Sequence, residues 1–139
     1  MLYTDHLIYA PEVPFFRDDG LELLPEPFTV SIITSPAPNA GEARQRGEGS
    51  RVLATLERRA KHILGVAAHH GHETVVLGAW GCGVFRNDPR EVAGVFARLL
   101  ATPPFVGSFA RVVFAIYDRS RTKETLRAFE ERYALGRGS

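Results

Sequence analysis

The sequence contains a single cysteine and no apolar run that approaches the roughly 18 residues of a membrane span. One cysteine excludes an internal disulfide, and without a Cys/His ladder at zinc spacing no metal site is called for. The absent apolar run excludes a transmembrane helix. The start Met1-Leu-Tyr-Thr-Asp-His also lacks the basic and apolar regions of a signal peptide, so the chain reads as cytoplasmic. A charge excess of either sign is missing as well: 17 Lys and Arg stand against 16 Asp and Glu. That balance gives no general attraction for a nucleic-acid backbone or an acidic membrane, and neither is expected as a partner. Any anion must be held locally. What is present is an ordinary globular composition, 45% hydrophobic and 24% charged, in a length of 139 residues that suits one domain, residues 1–139.

Prolines organise the start of the chain. Pro11, Pro14, Pro25 and Pro27 forbid a helix, so residues 1–27 read as a short strand at Leu7-Ile8-Tyr9 followed by an extended covering arm. Asp18-Asp19-Gly20 is a turn signal that can reverse this arm between Phe15-Phe16 and residues 21–24. Beyond it the pattern is regular. Residues 28–34 (FTVSIIT) predict a strand, stopped by Ser35-Pro36-Ala37-Pro38-Asn39-Ala40-Gly41. Val52, Leu56, Ala60, Ile63, Leu64 and Ala67 predict an amphipathic helix that ends at Gly71. Residues 74–78 (TVVLG) predict a buried strand, and Asp88-Pro89 with Glu91 predicts the capped start of a second helix. Residues 111–117 (RVVFAIY) predict a strand buried on both faces. A helix over about 122–133 follows, and the tail Gly136-Arg-Gly-Ser is expected to fray. Alternating strands and helices favour an α/β fold with a mostly parallel sheet, whose ligand edge collects the segments leaving the carboxyl ends of the strands. Three loops qualify: 35–41, 79–87 and 118–122.

The middle loop, Gly78-Ala79-Trp80-Gly81-Cys82-Gly83-Val84-Phe85, clusters glycines directly after a buried strand. Each glycine gives up roughly 0.5–1 kcal/mol relative to alanine in regular structure, so the cluster implies unusual torsions or a backbone brought close to a partner. Successive amides in such a turn can converge on an oxyanion, upstream of the helix end that Asp88 occupies. A tight strand-to-helix turn without a ligand accounts for the same glycines. The loop lacks the Gly-Lys-Ser/Thr of a P-loop, and Arg86 replaces the third glycine of G-x-G-x-x-G, which disfavours an ATPase or a dinucleotide dehydrogenase; no cofactor is called for. Trp80 and Phe85 offer rings for a ribose or base, or for the core. Cys82, between two glycines, is a candidate nucleophile or a small buried hydrophobe. His69, His70 and His72 point in different directions at a helix end, where histidine suits the dipole, and Glu130-Glu131-Arg132 reads as a solvated face.

Taken together, Leu7-Ile-Tyr with Val13-Pro14-Phe-Phe-Arg-Asp-Asp, Thr34-Ser-Pro-Ala-Pro-Asn-Ala-Gly, and Leu77-Gly-Ala-Trp-Gly-Cys-Gly-Val-Phe with Asn87-Asp-Pro resemble, in order, the C-terminal part of the bacterial-type poly(ADP-ribose) glycohydrolases, a macrodomain family. The resemblance implies a three-layer α/β/α macrodomain-like fold that binds ADP-ribose or poly(ADP-ribose). It places the loop at Gly81-Cys82-Gly83-Val84-Phe85 around the diphosphate, Phe85 near the distal ribose, Asn39 on the cleft wall, and Tyr117 and Asp118 on the adenine side. The family's catalytic Gly-Gly-Gly stretch followed by Gln-Glu-Glu has no counterpart here, and Met1 falls inside the family pattern. Glu130-Glu131 follows no triple glycine, so no catalytic residue is assigned.

The family's reaction needs a carboxylic acid to protonate the leaving ribose oxygen. The resemblance therefore implies an ADP-ribose module that hydrolyses ribose–ribose bonds only when the missing segment is supplied, or else a non-catalytic binder or assembly subunit. A missing N-terminal half would remove sheet strands and expose an edge, which predicts a homo-oligomer or a complementing partner.

Overall fold

The computed structural model describes residues 2–134. Its first feature is a long antiparallel hairpin, β1 (Ile8–Arg17) with β2 (Leu23–Thr34), in which Ile8 faces Thr34, Val13 faces Val30 and Arg17 faces Leu23. The Asp18 carboxylate builds the reversal by accepting from the amides of Gly20 at 2.8 Å and Glu22 at 3.0 Å, as the turn signal predicts. The pairing slips between Ala10 and Val13, where Pro11 has no N–H to give and Glu12 takes a positive φ of 50°. The hairpin is fastened at its base. Tyr9 stacks on His70 with ring centroids 3.9 Å apart, and its hydroxyl meets His72 Nε2 at 2.9 Å. The histidine cluster thus ties the arm to the end of the first long helix.

This arrangement departs from the expected sheet. Residues 28–34 do form a strand, but they pair antiparallel with β1 and do not hydrogen-bond to the parallel pair. The polar stretch after them holds a short helix, α1 (Ala40–Gln45), whose N-cap is Asn39. A 3₁₀ turn at Gly49–Arg51 leads into α2 (Val52–His69), which ends as Gly71 takes φ +71°. Next come β3 (Thr74–Leu77), α3 (Pro89–Leu100), β4 (Arg111–Phe114) and α4 (Glu124–Ala134). Asp88 caps α3 by accepting from the Arg90 amide at 2.8 Å, with Pro89 at the first helical position. The tail at 136–139 lies outside the described residues.

β3 and β4 pair in parallel, Thr74 with Arg111 through Leu77 with Phe114. Val75, Leu77, Val112 and Phe114 pack into one core with Leu56, Leu64, Val92, Val95, Phe96 and Phe129 of the helices. Full burial of each large apolar side chain contributes about 1.5–3 kcal/mol. The expectation of a strand at 111–117 buried on both faces is not met. β4 stops at Phe114 and none of its residues is fully buried, while Val76, directed away from the core, is 65% exposed. Among the described residues the second face of this α/β sheet is bare. No described helix is long and apolar enough to cross a membrane.

Candidate functional site

Two of the three loops singled out in the sequence, 35–41 and 79–87, are joined directly. Trp80 Nε1 donates to Ser35 O at 3.0 Å, which ties the segment leaving β3 to the end of β2. Gly41 N donates to Phe85 O at 3.1 Å. A Cβ on Gly78 would lie 3.6 Å from Ala115 O, so the segment leaving β4 runs alongside.

The centre of this junction is Asn87. Its side chain is buried, with 2% exposure, and its Nδ2 donates both to Pro38 O and to Gly81 O at 2.9 Å. Its Oδ1 has no protein partner among the described residues. Gly81 sits against this clamp with φ +72°. A Cβ there would fall within contact distance of Asn87 Nδ2 and 2.5 Å from the Ala37 Cβ, so this position demands glycine on two counts. Gly83 differs: nothing lies within 4 Å of where its Cβ would stand. The two glycines therefore serve different purposes, one internal and one facing open space.

The amides divide in the same way. Those of Trp80, Cys82, Arg86 and Asn87 are used within the turn, donating to Gly78 O, Ala79 O, Gly83 O and Gly81 O. Those of Gly83, Val84 and Phe85 make no hydrogen bond among the described residues. Three consecutive free donors on a turn are a ready anion cradle. Val84 at the tip is 91% exposed, as expected of a residue whose backbone, and not its side chain, is useful. Phe85 is half-buried beside Tyr3, with ring centroids 5.7 Å apart. Tyr3 carries no periodicity or motif that would have marked it in the sequence. A cavity of about 670 Å³ opens between β2 and β3 and is lined by Ser35, Gly78 and Trp80 among others; the free amides lie outside its lining.

Other candidates are placed differently. Asn39 Oδ1 accepts from the Glu42 amide at 3.0 Å, so its carbonyl oxygen serves α1. Tyr117 is 80% exposed, with the Arg119 guanidinium 5.5 Å from its ring centre. Asp118 is committed to the entry of α4. It accepts from Ser120 N at 2.8 Å, Thr125 N at 3.0 Å and Leu126 N at 3.3 Å. Hydrogen bonding from Ser120, reinforced by these helix amides, pulls its carboxyl down to about 2. Its structural employment explains its presence without a ligand.

Cys82 is half-buried, and its Sγ reaches only the Trp80 carbonyl, at 3.9 Å. Burial, with the Asp88 charge adding to it, pushes its thiol up to about 12. A thiol held neutral at pH 7 is a poor nucleophile, which removes the reading of Cys82 as a catalytic group. The expected result with iodoacetamide at pH 7.5 is no alkylation of folded protein and full alkylation in denaturant, read by mass spectrometry.

Sequence reading missed the ion cluster behind the 35–41 loop. Arg59, 1% exposed, donates to Asp5 Oδ1 at 2.8 Å, to Pro36 O at 2.9 Å and to Leu2 O. Arg58 Nε reaches Asp5 Oδ2 at 2.6 Å. The signal was available: Arg59 falls on the apolar stripe of α2, three residues after Leu56 and four before Ile63. A cation there must be paired. Arg59→Ala strands those carbonyls and should cost about 3 kcal/mol in denaturant unfolding. Hydrogen bonds from Arg58 and Arg59 hold the Asp5 carboxyl far below its ordinary range. Both Asp5 and Asp118 are lowered on folding, so their stabilisation is complete above about pH 4–5 and is lost as pH falls. Thermal scans from pH 6 to pH 2 should show a falling Tm below about pH 4, and Asp5→Asn should flatten that fall.

No family model matches the chain, and no curated protein does. Solved structures do. The poly(ADP-ribose) glycohydrolase of Deinococcus radiodurans in complex with ADP-ribose matches with 51% identity and a TM-score of 0.90, over 96% of this chain and 54% of that one. The same enzyme in apo form gives a TM-score of 0.89. The poly(ADP-ribose) glycohydrolase of Thermomonospora curvata matches with 50% identity and a TM-score of 0.88, over 94% of this chain and 48% of that one. The chain spans about half the length of these structures.

Proposed function

We propose that this poly(ADP-ribose) glycohydrolase-like chain is an ADP-ribose-recognising module of a single partial macrodomain, whose Gly83-Val84-Phe85 amides hold the diphosphate. The observation that carries the reading is that these three consecutive amides make no hydrogen bond among the described residues, while the Trp80, Cys82, Arg86 and Asn87 amides around them are consumed within the turn. A diphosphate supplies the acceptors they lack, and hydrogen bonds to a charged group are stronger than neutral ones. Phe85, with Tyr3 beside it, meets a ribose. Gly78, Ala79, Trp80 and Asn39 frame the cleft, and Tyr117 offers an exposed ring for stacking at the same edge. The matched structure that holds ADP-ribose supports this ligand class.

Hydrolysis of a ribose–ribose bond requires a general acid at the leaving oxygen and water at the anomeric carbon. Two carboxylates at this edge, Asp88 and Asp118, are engaged by helix-start amides. The module binds, and glycoside cleavage depends on a complementary segment that carries the acid. Calorimetry of the folded chain with ADP-ribose should show saturable heat at one site. No heat at millimolar ligand would overturn the proposal.

A further inference from the structure

Arg86 stands where the G-x-G-x-x-G pattern has its third glycine, and the structure gives it a glycine's backbone. Its φ is +56°, in the left-handed region that is costly for any residue with a Cβ. It directly follows the three free amides, and its own N–H closes their turn by donating to Gly83 O at 3.0 Å. Glycine would relieve the torsion without losing that bond, so the arginine side chain is the part that calls for a use.

The course of the side chain is set by its neighbours. A Cβ on Gly41 would lie 3.2 Å from Arg86 Cδ, so the stem runs across the face of α1 that Gly41 leaves bare. Arg44, three residues on along the same helix face, donates from Nη1 to Arg86 O at 3.2 Å. Its own stem lies over Gly49, whose Cβ position is 3.2 Å from Arg44 Cγ. Two exposed arginines are thus held side by side, and like charges so placed repel. The surrounding arginines are compensated: Arg46 by Glu42 at 2.5 Å, Arg51 by Glu48 at 2.9 Å and Arg90 by Glu131 at 3.8 Å. Among the described residues no carboxylate comes within 4.0 Å of the Arg44 or Arg86 guanidinium.

We propose that Arg44 and Arg86 form a second anion subsite beside the Gly83-Val84-Phe85 amides, which takes the diphosphate of a neighbouring ADP-ribose unit and so favours linked units over ADP-ribose alone. The proposal rests on the reading of the amide turn as a diphosphate cradle. Placement selects the neighbouring unit. Nothing lies within 4 Å of the Gly83 Cβ position, so neither guanidinium reaches into the open space there, and both stand on the α1 side of the turn. A single ADP-ribose carries one diphosphate, which the amides occupy, whereas ribose-linked units repeat that group and can fill both places. Arginine suits the task, because its planar fork matches phosphate oxygens.

Calorimetry of the folded chain with ADP-ribose and with a ribose-linked dimer of it tests the proposal. At low salt the dimer should bind about tenfold more tightly, beyond the statistical gain from having two units, and the preference should shrink as salt is raised. Arg44→Gln combined with Arg86→Gln should abolish the preference and leave ADP-ribose affinity within about threefold of the parent. Arg86→Gly should weaken the preference while the Tm stays at or above that of the parent, because the left-handed residue has lost its Cβ. That readout separates a binding role from a structural one. Equal affinity for the two ligands in the parent chain, or a preference that survives the double substitution, would overturn the proposal and leave ADP-ribose binding standing. A matched loss for both ligands would overturn it as well, by assigning the arginines to the cradle's own diphosphate. Absence of binding by either ligand would remove the cradle reading together with it.

Discussion

Gly83→Val should lower the affinity for ADP-ribose about 100-fold and leave the melting temperature within a few degrees of the parent. The two halves of this expectation come from different observations. The Cβ position of Gly83 has no atom within 4 Å and its φ is outside the left-handed region, so the protein itself has room for a side chain there. Loss of glycine flexibility in the unfolded chain offsets any small cost of a β-branched residue in a turn. The ligand has no such room. A side chain beside three free amides keeps a diphosphate from closing on them. Losing one or two hydrogen bonds to a charged group removes about 3 kcal/mol, which is about two decades in Kd. Parallel calorimetry and thermal denaturation check this, and unchanged affinity would mean that the open space beside Gly83 is not where the ligand lies.

Gly81→Ala should behave in the opposite way and destabilise the whole chain. At φ +72° a Cβ already costs about 1 kcal/mol or more, and its collision with Asn87 and Ala37 adds the cost of overpacking, about 1–3 kcal/mol. If Asn87 yields, its donations to Pro38 O and Gly81 O are lost together, and the two loops part. A total near 3 kcal/mol corresponds to a drop in Tm of about 10 °C for a chain of this length, measurable by calorimetry. Binding should fall with it, because the amide turn is held by that clamp. The contrast between Gly81 and Gly83, two residues apart, would separate a glycine needed for folding from the one proposed to face the ligand.

Much of this was legible in the residues. The reversal at Asp18-Asp19-Gly20 and the capped start of α3 at Asp88-Pro89 follow from local chemistry, and local chemistry decided them. Strand pairing was less accessible. Residues 28–34 read as a strand, and are one, but their partner is set by a hairpin in which four prolines are accommodated by bulges and free edges. Which strand lies beside which depends on contacts far apart in sequence. The expectation that residues 111–117 are covered on both faces failed because an apolar run records what a strand can bury, while the layer that would cover Val76 is not among the described residues. Within the candidate site, the glycine string marked an unusual turn but not how its glycines differ. That difference became visible only in the structure, where Asn87, read in the sequence only as part of a motif string, holds Gly81 and leaves Gly83 open. Arg59 was overlooked because its neighbours on α2 satisfied the helical pattern without it.

The most direct test is a nitrogen-15 amide titration of the chain with ADP-ribose. The account predicts that the Gly83, Val84 and Phe85 resonances move furthest and saturate together, while those of Trp80 and Cys82, whose N–H groups are already bonded, move little. Saturable shifts elsewhere that leave these three amides in place, or no shifts at millimolar ligand, would contradict it.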